Sequence, residues 1–117
     1  MSADRAALLM TAVRLAAALG VVCLLVLMLG PFQGAEGEVG MTDGVAHLAA
    51  FGLIAGALMI NLPRSPRVHV AALALSTGIA VEFIQGATGR SASLHDVAAD
   101  AIGIAIVTLG WWRRRLI

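Results

Sequence analysis

Apolar residues fill four stretches of the chain, and each stretch stops at a residue or turn that interrupts a helix. The first, 6–29, has Arg14 near one end and halts at Gly30-Pro31. The second, 45–62, halts at Pro63. The third, 68–87, runs into a turn marked by Gly86 and Gly89, and the fourth, 94–112, ends in Trp111-Trp112 beside Arg113-Arg114-Arg115. A helix needs about twenty mostly apolar residues to cross the hydrocarbon core of a bilayer, and all four stretches meet or nearly meet that length. The pattern predicts an all-α membrane protein, a compact bundle of four transmembrane helices forming a single domain over 1–117.

Composition sharpens this reading. Hydrophobic residues make up 60% of the 117 and charged residues 13%, with a mean hydropathy of +0.93. Soluble domains average about a quarter charged residues, and a soluble chain this short would leave much apolar surface in water. The formal net charge of +1 offers no basic patch for nucleic acid. Lysine and tyrosine are absent. The tryptophan pair beside three arginines suits a membrane–water boundary. Cys23 lies alone inside an apolar run and has no intramolecular partner, so it is expected to face lipid or pack. The first stretch is longer than the core of about 7–15 residues typical of a signal peptide. Cleavage after Ala35 would set Gln33 where a small residue is wanted, so the segment is expected to stay as a helix.

The arginines set the expected orientation. Arg64 and Arg67 connect spans two and three, and three more arginines form the tail. Glu36, Glu38 and Asp43 lie between spans one and two without a basic residue. Positive-inside bias then puts both termini and the Arg64–Arg67 turn in the cytoplasm, with Arg90 alone on the other side. Small residues recur four apart, as Ala16/Gly20, Gly52/Gly56, Ala74/Gly78 and Ala99/Gly103, a spacing that lets membrane helices approach closely.

With that topology the remaining ionisable residues gather at one depth. Asp43 and His47 begin span two, Glu82 and Gln85 end span three, Arg90 lies in the following turn, and Asp96 and Asp100 begin span four. Asp43/His47 and Asp96/Asp100 are four apart and Glu82/Gln85 three apart, so each pair shares a helix face. A bundle would point His47, Glu82, Gln85 and Asp100 into a shared extracytoplasmic cavity. Carboxylates within spans are rare and usually face the protein interior or water.

Each residue also has a structural explanation. Ser93 and Asp96 fit a capping box with Asp in place of Glu, and Thr42 or Asp43 fits a cap of span two. Glu82 and Arg90 fit an ion pair, and His47 fits a packing histidine. His69 is expected at the interface, Asn61 at a helix end, and Arg14 reaching toward headgroups.

The stretch Asp43-Gly-Val-Ala-His47 with Phe51 resembles the opening motif of the VanZ-like family. Glu82-Phe-Ile-Gln85 with Gly89-Arg90-Ser91 resembles its central motif, and Asp96-Val-Ala-Ala-Asp100-Ala-Ile-Gly103 its closing one. The resemblance covers about residues 42–110. Many members carry lysine where this chain has Gly44, and asparagine where it has Asp100. The resemblance implies a multi-pass protein of the bacterial cytoplasmic (inner) membrane that acts on the cell envelope, with a name taken from teicoplanin resistance and no reaction attached.

Three functions remain open at this stage. In the first, Asp43, His47, Glu82, Gln85, Arg90, Asp96 and Asp100 bind an envelope lipid or lipid-linked cell-wall precursor, with Arg90 on a phosphate. The second is a small hydrolase or transferase of lipid-linked substrates, with His47 or Glu82 as general acid or base. A metal on His47, Glu82 and the span-four aspartates belongs with this second reading. The sequence has no dense metal-ligand motif, nucleophile elbow or P-loop, however, and neither metal nor cofactor is expected. In the third, the polar residues are a buried network that fixes how three helices meet.

Overall fold

The computed structural model describes residues 1–30, 43–87 and 93–115; the side chains of Asp43 and of residues 112–115 lie outside the description. Within it the chain forms four helices: α1 Ala3–Leu29, α2 Asp43–Asn61, α3 Arg67–Ala87 and α4 Leu94–Arg115. No strand occurs among the described residues. The ends fall within three residues of the boundaries read from the apolar runs. All four helices are long and apolar enough to cross a membrane, the pattern of a multi-pass membrane protein. Ser2 caps α1 through its side chain, which accepts from the Arg5 amide. Pro63 follows the end of α2, and the turn to α3 is closed by the Ser65 amide donating to the Leu62 carbonyl.

Helices α2, α3 and α4 form the core, with α2 most extensively packed on α4. Phe51, Ile54, Ala55, Ala74, Val81 and Ile104 are buried together. On α3 the buried positions are Val70, Ala74, Gly78, Val81, Glu82 and Gln85, one stripe at helical spacing. The polar members occupy one end of an otherwise apolar stripe. Neighbours point oppositely: Glu82 is 6% exposed and Phe83 81%, which suits a bundle whose solvent is lipid.

Backbones touch where α2 crosses α4. A Cβ on Gly103 would run into the Leu48 carbonyl oxygen and come within 3.1 Å of the Gly52 amide nitrogen. Gly52 and Gly56 both face Val107 of α4, so this small-residue pair serves the interface expected of it. Ala16/Gly20 does not. Ala16 is exposed and a Cβ on Gly20 would meet nothing within 4 Å, because α1 approaches its neighbours through larger side chains.

Helix α1 has no fully buried residue. It leans on α2 and α3 and makes no contact with α4 among the described residues, setting Val21, Leu24, Leu25 and Met28 against the core. Side chains of α2 and α3 hydrogen-bond to it at two places among the described residues. Asn61 Nδ2 donates to the Arg14 carbonyl at 3.3 Å, as well as to Ala57 of its own helix. Gln85 Nε2 donates to the Met28 carbonyl at 2.8 Å. The two places lie roughly 21 Å apart along the helix. Met28 belongs to the last turn of α1, where carbonyls lack intrahelical partners, so Gln85 works as a cap supplied by another helix. Cys23 is exposed on the outer face of α1.

Candidate functional site

The start of α2, the end of α3 and the start of α4 meet at one end of the bundle. His47 comes in from α2, with Phe51 stacked below it one turn on; the ring centroids are 6.3 Å apart and nearly parallel. Its Nδ1 lies 2.8 Å from Asp100 Oδ1. A carboxylate only accepts, so this bond gives Nδ1 the proton and leaves Nε2 facing the rest of the site. Nε2 is 3.7 Å from Glu82 Oε1 and 3.7 Å from Asp96 Oδ2. His47, Glu82, Asp96 and Asp100 therefore form one cluster drawn from three helices.

Local structure fixes each carboxylate. Asp100 is fully buried, and its Oδ2 has no hydrogen-bond partner among the described residues. It lies against Gly78, where a Cβ would come within 2.8 Å of that oxygen, so only glycine leaves Asp100 its place. Ser93 caps α4: its Oγ accepts from the Asp96 amide at 3.2 Å. The return bond of the expected capping box comes from another helix, because the Ser93 amide donates to Glu82 Oε2 at 2.9 Å. Glu82 thus takes the place that Asp96 was expected to fill, and the Asp96 carboxylate turns to His47. The second Glu82 oxygen, Oε1, is buried without a hydrogen-bond partner among the described residues and faces His47.

Most residues singled out from the sequence converge. Gln85 is buried on the same stripe, with its amide committed to Met28 of α1. Asp43 opens α2, but its side chain and all of Arg90 lie outside the described residues, as does Thr42. The Glu82–Arg90 pair and the cap of α2 fall with them. His69 is exposed near the opposite end of α3, and His95 is exposed at the start of α4, its ring beside Gly44. Sequence reasoning missed Ser93 as the holder of Glu82 and Gly78 as the floor under Asp100. The spacing Ser93-x-x-Asp96 carried a hint of the first; a contact between helices carried none of the second.

Comparison of the chain with protein-family models, curated proteins and solved structures gives no match. The chemistry must be read from the cluster itself. A histidine oriented by one carboxylate and facing two others can transfer a proton, bind a cation, or hydrogen-bond hydroxyl and amine groups of a ligand. His47, Glu82 and Asp96 each offer one donor atom, and these atoms lie within 4.8 Å of one another, a spacing at which one metal ion could be shared. The sequence shows no such ligand set because its members are 35 and 14 residues apart.

Proposed function

We propose that the chain is a VanZ-like protein of the bacterial cytoplasmic membrane, with both termini cytoplasmic, that binds the headgroup of an envelope lipid or lipid-linked cell-wall precursor at its extracytoplasmic face. The observation that carries this reading is the gathering of His47, Glu82, Asp96 and Asp100 at one end of a bundle whose outer surface is apolar. Ionisable groups are costly in a spanning segment and concentrate where a ligand or water meets them. The orientation is supported by Arg64 and Arg67 in the turn at the opposite end and by Arg113–Arg115 in the tail. The motif resemblance in α2, α3 and α4 supports the family and the envelope setting. In this reading the carboxylates and His47 take hydroxyl or amine groups of the headgroup, and Arg90, from the segment joining α3 and α4, takes a phosphate.

Mass spectrometry of lipids co-purifying with the wild type, Glu82→Gln and Arg90→Ala tests the proposal. One envelope lipid class should be enriched with the wild type and depleted in both variants. Equal lipid profiles for all three proteins, with unchanged glycopeptide susceptibility of cells carrying them, would defeat it.

The 2.8 Å bond from His47 to Asp100 favours a second reading. A histidine held by a carboxylate is equipped for general acid–base work, which suits a small hydrolase or transferase of lipid-linked substrates with His47 or Glu82 as the proton-transferring group. Release of phosphate or headgroup from a panel of lipid phosphates by the wild type, lost in His47→Ala, would move the assignment to this class.

A further inference from the structure

We propose that the cluster is a binding site for a single first-row divalent cation, of the Zn²⁺ or Mn²⁺ type, with His47 Nε2, Glu82 Oε1 and Asp96 Oδ2 as its protein ligands. The site does not depend on the lipid-binding reading; where both hold, the bound cation meets the headgroup in place of direct contacts from His47, Glu82 and Asp96.

Geometry comes first. Nε2 stands 3.7 Å from Glu82 Oε1 and from Asp96 Oδ2, and the three residues each offer a donor atom within 4.8 Å of the others. Three atoms so spaced share a point no more than about 2.8 Å from each, a little beyond the bond lengths of Zn²⁺ and Ca²⁺ to nitrogen and oxygen donors. Bonding to Zn²⁺ needs a contraction of at most about 0.7 Å per ligand, within reach of side-chain adjustment. At 3.7 Å the same contacts are too long for hydrogen bonds. The histidine and the two carboxylates thus face a common point without bonding to each other.

The buried oxygen supplies the second argument. Glu82 is 6% exposed and its Oε1 has no hydrogen-bond partner among the described residues. A buried carboxylate oxygen left without a partner is costly. This one is aimed at the shared point, where a cation would satisfy it. Three carboxylates around one imidazole also leave an excess of negative charge that a divalent ion offsets.

The surrounding shell has the form that metal sites use. Asp100 accepts from Nδ1 of His47, the carboxylate–histidine arrangement that fixes the ring and turns the Nε2 lone pair toward a metal. The Ser93 amide holds the non-ligating oxygen of Glu82. Ser93 Oγ anchors the amide of Asp96. Each ligand residue is therefore held by a bond that leaves its ligating atom clear. The imidazole donor favours Zn²⁺ over Mg²⁺ or Ca²⁺, and the two carboxylates also suit Mn²⁺. Three protein ligands leave at least one coordination position open.

The test is titration of the purified, chelator-stripped full chain in detergent with Zn²⁺, Mn²⁺, Mg²⁺ and Ca²⁺, read by calorimetry and metal analysis. One equivalent of Zn²⁺ or Mn²⁺ should bind, with affinity lowered by about a hundredfold in Glu82→Gln and about tenfold in Asp100→Asn, and unchanged in His69→Ala. Two readouts on the wild type alone guard against misfolded variants. Chelation should lower its melting temperature, and Co²⁺ loaded in place of Zn²⁺ should show the visible absorption of a low-coordinate N/O site. Absence of stoichiometric binding to the wild type, or binding equally tight in Glu82→Gln, overturns the proposal.

Discussion

At one end of the bundle half-buried His47 and buried Glu82, Asp96 and Asp100 come from three helices and lie within a few ångströms of one another. At the other end Arg14 and Arg64 lie exposed, and with Arg67, Met59 and Trp111 they border an open cleft of about 760 Å³ between α1, the α2–α3 turn and the end of α4. The ends differ in more than sign. The acidic end needs its helices in close register, since every carboxylate is placed by a neighbour: Asp100 by Gly78 and His47, Glu82 by Ser93. The exposed side chains of Arg14 and Arg64 need no such register, because long cationic side chains reach water or headgroups from almost any backbone position. Packing at one end is therefore a condition of its chemistry, and at the other it is not.

The largest way to break this contrast is to separate α2 from α4. Gly103→Ala sets a methyl against the Leu48 carbonyl, a backbone atom that cannot swing aside. It should destabilise the protein by about 3 kcal/mol, as overpacking does in a tight core. Unfolding in mixed micelles of increasing SDS fraction reads this directly.

Next comes Asp100→Asn, which keeps the shape of the side chain but removes its charge beside His47. The expected loss is about 1–2 kcal/mol, seen in the same unfolding assay, along with a shifted His47 ring resonance in NMR. Stability equal to wild type and an unmoved resonance would mean that the His47–Asp100 bond does not organise the site.

Gln85→Ala should cost about 1 kcal/mol, concentrated in α1. Hydrogen exchange should rise in the last turns of α1, around Met28, while the amides of α2 and α4 stay protected. Exchange rising evenly across all helices would show that α1 is no separate buttress.

The smallest effect belongs to the arginine end: Arg64→Ala should change stability by no more than about 0.5 kcal/mol. A loss matching that of Asp100→Asn would erase the difference between the two ends.

The four helices were legible in the sequence because their signal is strong and local. An apolar run near twenty residues has few alternatives, and Gly30-Pro31 and Pro63 punctuate the runs. Helical spacing also put Asp96 with Asp100 on one face, and shared depth brought His47 and Glu82 to the same end. Pairing was not legible. That His47 bonds Asp100 while facing Glu82 and Asp96 depends on how α2 rotates against α4, which Gly103 sets by close approach and no periodicity records. The partner of Gln85 is a backbone carbonyl, and an acceptor common to every residue leaves no trace in residue types. The capping box was read within one helix because its usual form is local; Glu82 entered it from eleven residues earlier, across the turn. The arginine cleft was unforeseen for a similar reason, since a space between helices belongs to no single segment.

The His47–Asp100 bond joins residues 53 positions apart, which has a consequence for how the protein is made. At about 5–20 residues per second of synthesis, roughly 3 to 10 seconds separate the appearance of the two. Through that interval α2 must partition into the bilayer on its own hydropathy, carrying a histidine whose partner does not yet exist. Each helix is apolar enough to do so, and helix association follows insertion. A chain interrupted before α4 would therefore lack Asp96 and Asp100, leaving His47 without the carboxylate that holds its ring.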